Sequence, residues 1–401
     1  MLHPKNWAYS LPAALLLMAP FDLLASLGMD IYLPVVTRMP VVLDTTPAVI
    51  QLTLSLYMIV LGCGQLLFGP LADRIGRRPV VLGGAVLFGL ASAGLAMTRS
   101  AEVFIVLRVL QSAGGAAALV ATFATVRDVY AERPEGAIIY GLFGSMLAFV
   151  PAFAPMIGAL VDHAFGWRGI FWLLAGLAAL SGLHAFLRWP ETLPAQTRSV
   201  TLRRSFVRVL SSAAFWTYTL GFSTAMGTFF VYFSTAPRIL MQELGFSSTT
   251  FSLVFATVAL VMIVCSRFGG VFVRHWGQRG CLIRGMALFL AGGALLAMGQ
   301  IFLPTSVVTF MAPMWVMACA ISLTCAVAAN GALRDFGDIA GTATAIYYFI
   351  QSVIVAVAGT LAVVLLAPAS FWPIAVFATV AAGITLGMMS LSSRDEKGVT
   401  P

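Results

Sequence analysis

Twelve stretches of about 20 or more mostly apolar residues run through this chain, and they constrain its fold more than any other feature. A run that long can satisfy its backbone polar groups as a helix crossing the roughly 30 Å hydrocarbon core of a bilayer. The candidate spans are residues 11–33, 49–69, 79–97, 102–126, 136–161 and 167–187, then 214–236, 247–270, 281–302, 305–328, 338–366 and 371–391. Charged residues make up only 9% of the 401, against about 25% in soluble proteins, so the chain cannot cover a water-facing surface. The first span is not a cleavable signal, because it carries Asp22 and Asp30, has no basic flank beyond Lys5, and runs too long. The expectation is an all-α polytopic membrane protein.

The basic residues report topology. With the N-terminus in the cytoplasm, eighteen of the 23 Lys and Arg fall at cytoplasmic segments and helix ends. Four (Arg38, Arg99, Arg168, Arg238) fall on the other side, and Arg108 lies inside a span. That asymmetry satisfies the positive-inside rule, places both termini in the cytoplasm, and removes any need for a nucleic-acid partner to explain the net charge of +8. Four scattered histidines and five cysteines without a CxxC or HExxH spacing give no metal site.

One longer polar connection, 188–213, divides the spans six and six, giving an N-terminal bundle at 1–187 and a C-terminal bundle at 214–401 with a short cytoplasmic tail. A repeat supports the division. GPLADRIGRR at 69–78 aligns with GVFVRHWGQR at 270–279 at a constant offset of 201, each after the second span of its half. Parallel six-helix repeats build one class of secondary transporter.

The residues Gly69, Leu71, Asp73, Arg74, Gly76, Arg77 and Arg78 resemble the complete G-x-L-[AS]-D-R-x-G-R-[RK] loop of the major facilitator superfamily, and the second copy is degraded, with Arg274 replacing the aspartate. Glycines permit the tight turn. Asp73 and the arginines can pair with helix ends and with Arg127 and Asp128 beyond span 4. The resemblance implies a latch on the outward-open state. In span 5, Pro151, Pro155 and Gly158 resemble a relaxed G-P-x-x-G-G antiporter motif, with Ala154 and Ala159 in place of two glycines.

Asp22, Ser26 and Asp30 stand at i, i+4 and i+8 on span 1, broadly on one face over roughly 12 Å. A carboxylate at mid-membrane either takes a proton or finds a cation, and one that does both can carry protons. Arg108 is the available cation, about 9 Å below the outer end of span 4. It resembles the R-x-x-Q-G motif of the same superfamily, with Ser112 at the glycine. Aromatic residues of spans 7 and 11 (Tyr232, Tyr347) could line an adaptable cavity.

The runs FDLLASLGMDIYLP, IQLTLSLYM, FATVRDVYAERPEG, GWRGIF and WPET, with GTFFVYFSTAPR and ANGALRDFGDIAGT in the second half, are similar to the phenicol exporters of the drug:proton antiporter branch. That resemblance implies a bacterial inner-membrane antiporter, monomeric, exporting chloramphenicol and florfenicol by alternating access about a central cavity. The proton would be the coupling ion, with no other cofactor. Asp22, Ser26, Asp30 and Arg108 would bind substrate, and Asp22, Asp30 and Arg108 would couple the proton. Rival readings are a proton symporter or a broader multidrug exporter of the same fold, and a membrane-embedded enzyme, which would need a nucleophile or base cluster at a membrane face.

Overall fold

The computed structural model describes residues 7, 9–130, 134–193, 202–303, 306–336, 339–366 and 369–397. All long elements among them are helices: α1 (Leu11–Asp30), α2 (Pro47–Ile75), α3 (Arg77–Met97), α4 (Ala101–Tyr130), α5 (Pro134–Phe165), α6 (Trp167–Arg188), α7 (Ala213–Pro237), α8 (Ser248–Arg267), α9 (Gly269–Phe302), α10 (Val307–Leu333), α11 (Ala340–Leu365) and α12 (Trp372–Lys397). Polar residues set several starts. Thr46, Ser212 and Ser247 each accept the backbone N–H three residues on, at 3.4, 3.2 and 3.1 Å, satisfying donors that the first helical turn leaves open. After α7 the chain widens into a π-helical turn, Arg238–Glu243.

Ten of the twelve helices are long and apolar enough to cross a membrane, and α5 is apolar over Phe149–Phe165. The exception, α7, is rich in hydroxyls, and most of its residues are buried within the protein. Several of its hydroxyls turn back on their own helix. Thr217 donates to the Ala213 carbonyl at 2.9 Å, Ser223 to Thr219 at 2.8 Å and Thr235 to Val231 at 2.8 Å, so part of the polarity is satisfied within the helix, while the Thr219 and Thr228 hydroxyls are buried without a hydrogen-bond partner.

The chain forms two compact units, Met1–Ser199 and Val200–Pro401. Within the first, α4 packs on α1, α2 and α3, while α6 packs on α1 and α3. Within the second, α10 packs on α7, α8 and α9, while α12 packs on α7 and α9. The same pairings recur helix for helix. The sequence repeat is realised at the turns as well, since Gly76 (φ 109°) and Gly277 (φ 67°) stand 201 residues apart and both hold the positive φ that favours glycine. In the second copy Gly277 has non-helical φ/ψ and kinks α9, so the expected span 281–302 lies in the part of α9 beyond this kink, as α3 lies beyond Gly76.

Of the polar connection at 188–213, residues 194–201 lie outside the described residues. Its described part includes a helical segment, Leu202–Leu210, not anticipated from the sequence. Two of the rings that could line a cavity pack inside the second unit. Tyr232 of α7 stacks on Phe255 of α8 at 4.9 Å, and Tyr347 of α11 on Phe222 of α7 at 5.1 Å.

Candidate functional site

Arg108 is fully buried in the first unit, so it does not reach out to the membrane surface. It sits on α4 where that helix meets the end of α1 and the middle of α2. Its Nη1 donates to the Gly28 carbonyl and to Gln111 Oε1, both at 2.6 Å. The guanidinium carbon lies 4.6 Å from the centre of the Tyr57 ring and 5.3 Å from that of Tyr32. Nε and Nη2 are buried without a hydrogen-bond partner. A lone arginine at helix centre costs about 2.5–3.5 kcal/mol to insert. Two charge-assisted hydrogen bonds at about 1.5–3 kcal/mol each and two desolvated cation–π contacts work against that cost without a carboxylate, while the two unpartnered N–H groups add to it.

The sequence left open whether a span 1 carboxylate pairs with this cation or takes a proton. Among the described residues no ion pair joins Arg108 to Asp22 or Asp30. Arg108 instead docks on the last turn of α1, where carbonyls carry the negative end of the helix dipole. Asp22 is six residues, about 9 Å, back along that helix. Asp30 is buried at the C-terminal end of α1, while Asp22 and Ser26 are half-buried on the same helix.

The supports of Arg108 form a relay. Gln111 Nε2 donates to Ser92 Oγ at 2.8 Å, and Ser92 donates to the Phe88 carbonyl at 2.7 Å. Tyr57 hydroxyl donates to the Ala25 carbonyl at 2.8 Å, tying α2 to α1. Ser112, at the position of the motif's glycine, donates to the Tyr57 carbonyl at 2.6 Å, tying α4 to α2. Gln111 entered the sequence reading only as the glutamine of the R-x-x-Q-G motif, and its three-residue spacing from Arg108 puts it on the same helix face; Ser92 was missed, and nothing local marks it.

A second cluster surrounds the turn between α2 and α3. Arg77 pairs with Asp73 at 2.6 Å and with Asp128 of α4 at 2.8 Å, and Arg127 lies 3.6 Å from Asp128 and 4.0 Å from Asp73. The Arg77 and Asp128 side chains are only 2% and 6% exposed, so this pair is not a screened surface contact. Arg74 is exposed, and Gly69 has open space around it.

Glu191 was missed from the sequence, where it appeared only inside the WPET run. Its carboxylate accepts the Arg77 N–H at 2.8 Å and the Arg78 N–H at 3.2 Å. Gly76, at the N-cap of α3, has no side chain to do this. Glu191 therefore caps α3 from beyond α6, and a β-carbon at Gly76 would collide with its carboxylate. Arg78 donates to the Phe186 carbonyl at 2.8 Å, closing the same junction. The α5 motif has a different function in packing. Pro151, Pro155 and Gly158 are buried, and Gly158 brings α5 against the Ile31 carbonyl so closely that no β-carbon fits.

Helices of membrane-crossing length, packed alike in two sixes with a buried cation in the first, define a polytopic membrane transporter. A sequence profile of the Major Facilitator Superfamily matches residues 21–360. The chain belongs to that superfamily and is a transporter of small molecules rather than an enzyme. It is 48% identical to a chloramphenicol resistance protein of Pseudomonas aeruginosa, over 96% of this chain and 92% of that one. It is 27% identical to the multidrug resistance protein MdtL of Klebsiella pneumoniae (strain 342), over 68% of this chain and 69% of that one. Two solved structures share the fold at a TM-score of 0.74 and 15% identity. One is a bacterial homologue of the human lysosomal transporter Spinster in an inward-facing, occupied conformation, covering 94% of this chain and 96% of that one. The other is a D-xylose–proton symporter, covering 94% and 97%.

Proposed function

We propose that this chain exports phenicol antibiotics, chloramphenicol and florfenicol, from the bacterial cytoplasm in exchange for protons, by alternating access in the inner membrane. The observation that carries the reading is the 48% identity to a chloramphenicol resistance protein along nearly the full length of both chains. Asp22 is the principal proton site, Asp30 a second acid on the same helix, and Ser26 and Arg108 complete the polar lining that meets the drug. Arg108 acts as a fixed positive charge held by Gln111 and Tyr57, setting the proton affinity of the acids without forming an ion pair with them. Asp73, Arg77, Arg127, Asp128 and Glu191 latch the cytoplasmic ends of α2, α3, α4 and α6 in one state, with Arg74 and Arg78 at its edge. Both termini and the 188–213 connection are cytoplasmic, the proton is the coupling ion with no further cofactor, and the protein works as a monomer.

Cells expressing the chain should accumulate less radiolabelled chloramphenicol and florfenicol than cells lacking it, and a protonophore should erase the difference. Equal accumulation with and without the chain would sink the export reading. For the topology, single cysteines at Ala195 and at Asp44 in a cysteine-free background should differ in intact cells. Asp44Cys should react with an impermeant thiol reagent, and Ala195Cys should stay silent. The MdtL relatives, at 27–28% identity, favour a second reading, a broader multidrug exporter. Protection against structurally unrelated drugs equal to that against phenicols would select it.

A further inference from the structure

Between the start of α1 and the end of α6, the first unit leaves a cavity of about 300 Å³ lined by Tyr9, Ala13, Leu16, Leu17, His184 and Arg188. Its residues are sorted by chemistry along the helix axes. Arg188 is the last residue of α6 and Tyr9 precedes α1, so both lie at the membrane–water boundary. The Tyr9 hydroxyl donates to the Arg188 carbonyl at 2.5 Å, fixing the two strands of this rim together. His184 stands one turn, about 6 Å, before Arg188 on the same face. Deeper into the span come Ala13, the buried Leu17, and Leu16, which is 69% exposed; in a membrane-crossing helix that exposure is to lipid.

The positive charge of the rim is not spent inside the protein. Among the described residues the Arg188 guanidinium makes no ion pair. The acid nearest in sequence, Glu191, is committed to the N-terminus of α3. Arg78, bonded to the Phe186 carbonyl, adds a second guanidinium at the same end of α6. A cationic, hydrogen-bonding rim above an apolar wall open to lipid fits one kind of molecule at both ends.

We propose that this groove is a binding site for an anionic phospholipid, with the headgroup phosphate on Arg188 and His184 beside the Tyr9 ring and an acyl chain along Ala13 and Leu16. The assignment uses only the chain's membrane embedding and is independent of which drug the protein exports. A basic side chain near an anionic lipid surface contributes about 1 kcal/mol, about fivefold in binding, and the apolar wall supplies the rest.

The test is native mass spectrometry of the purified full chain in detergent with equimolar phosphatidylglycerol and phosphatidylcholine. Wild type should retain phosphatidylglycerol preferentially. Arg188→Gln should lower the phosphatidylglycerol-to-phosphatidylcholine ratio about fivefold, and adding His184→Gln should lower it further. Ala13→Phe, which fills the groove and leaves Arg188 and His184 in place, should reduce phosphatidylglycerol retention as well, so the outcome does not rest on one variant folding. An unchanged ratio in Arg188→Gln together with unchanged retention in Ala13→Phe would overturn the site. Displacement of the lipid by equimolar glycerol 3-phosphate would also overturn it, reassigning the groove to a small anion.

Discussion

Arg108 illustrates how a buried charge is carried by groups that a sequence pattern underrates. Its partners are a main-chain carbonyl, an amide and two rings, so its neighbours matter more than any countercharge. Gln111→Ala should lower stability by about 1.5–3 kcal/mol, the cost of removing one hydrogen bond to a charged group, read as a lower unfolding midpoint in detergent. Gln111→Glu should recover part of that loss by supplying an acceptor to the same Nη1. Asp22→Asn tests the acid itself. It mimics the protonated carboxyl but cannot release the proton, so uphill export should stop while equilibrium drug binding survives. Undiminished resistance in cells carrying Asp22→Asn would pass the carrier role to Asp30. The motif spacing made Arg108 and Asp22 visible in the sequence. It did not reveal that they are unpaired, because the carbonyl that Arg108 selects belongs to the backbone of a helix 80 residues away.

At the scale of elements, the turn between α2 and α3 is held by a carboxylate from each neighbouring segment, Asp73, Asp128 and Glu191. Glu191 satisfies two open N–H groups at a helix start, where a negative charge also meets the positive end of the dipole. Glu191→Gln keeps one acceptor and loses the charge, so it should slow transport less than Glu191→Ala, and both should leave equilibrium drug affinity close to wild type. Asp73→Asn should act in the same direction, because a latch biases switching between states rather than binding. Transport assays at saturating drug, set beside direct binding measurements, separate the two effects. Loss of drug affinity with unaltered switching would dismiss the latch. The loop motif exposed Asp73 and Arg77 in the sequence; Glu191, more than a hundred residues on, has no periodic or spacing relation to them.

For the whole molecule, phenicols are uncharged near neutral pH, so exchanging one drug outward for at least one proton inward moves net positive charge into the cell. Export should therefore respond to the membrane potential, which supplies about 2.3 kcal/mol per charge per 100 mV, as well as to the pH gradient. In inverted vesicles with a fixed pH gradient, collapsing the potential with valinomycin and potassium should slow drug accumulation by wild type. Rates insensitive to the potential would rule out electrogenic exchange. The charge asymmetry along the chain sets the expected direction, since eighteen basic residues lie on the side assigned to the cytoplasm.

Hydropathy, charge distribution and the 201-residue repeat determined, without coordinates, that the chain is helical, membrane-embedded and built of two similar halves. These properties follow from the bilayer acting on each segment separately: length, apolarity and flanking charge are local quantities that a sequence displays directly. Tertiary structure decided the rest. It made α7 an interior helix despite its hydroxyls, put Gly76 and Gly277 into the same positive-φ turn, seated Arg108 on the last turn of α1 rather than on Asp22, and brought Glu191 to the start of α3. Each of these depends on which surfaces meet when helices distant in sequence pack, and on the demand that buried polar groups find partners wherever packing has put them.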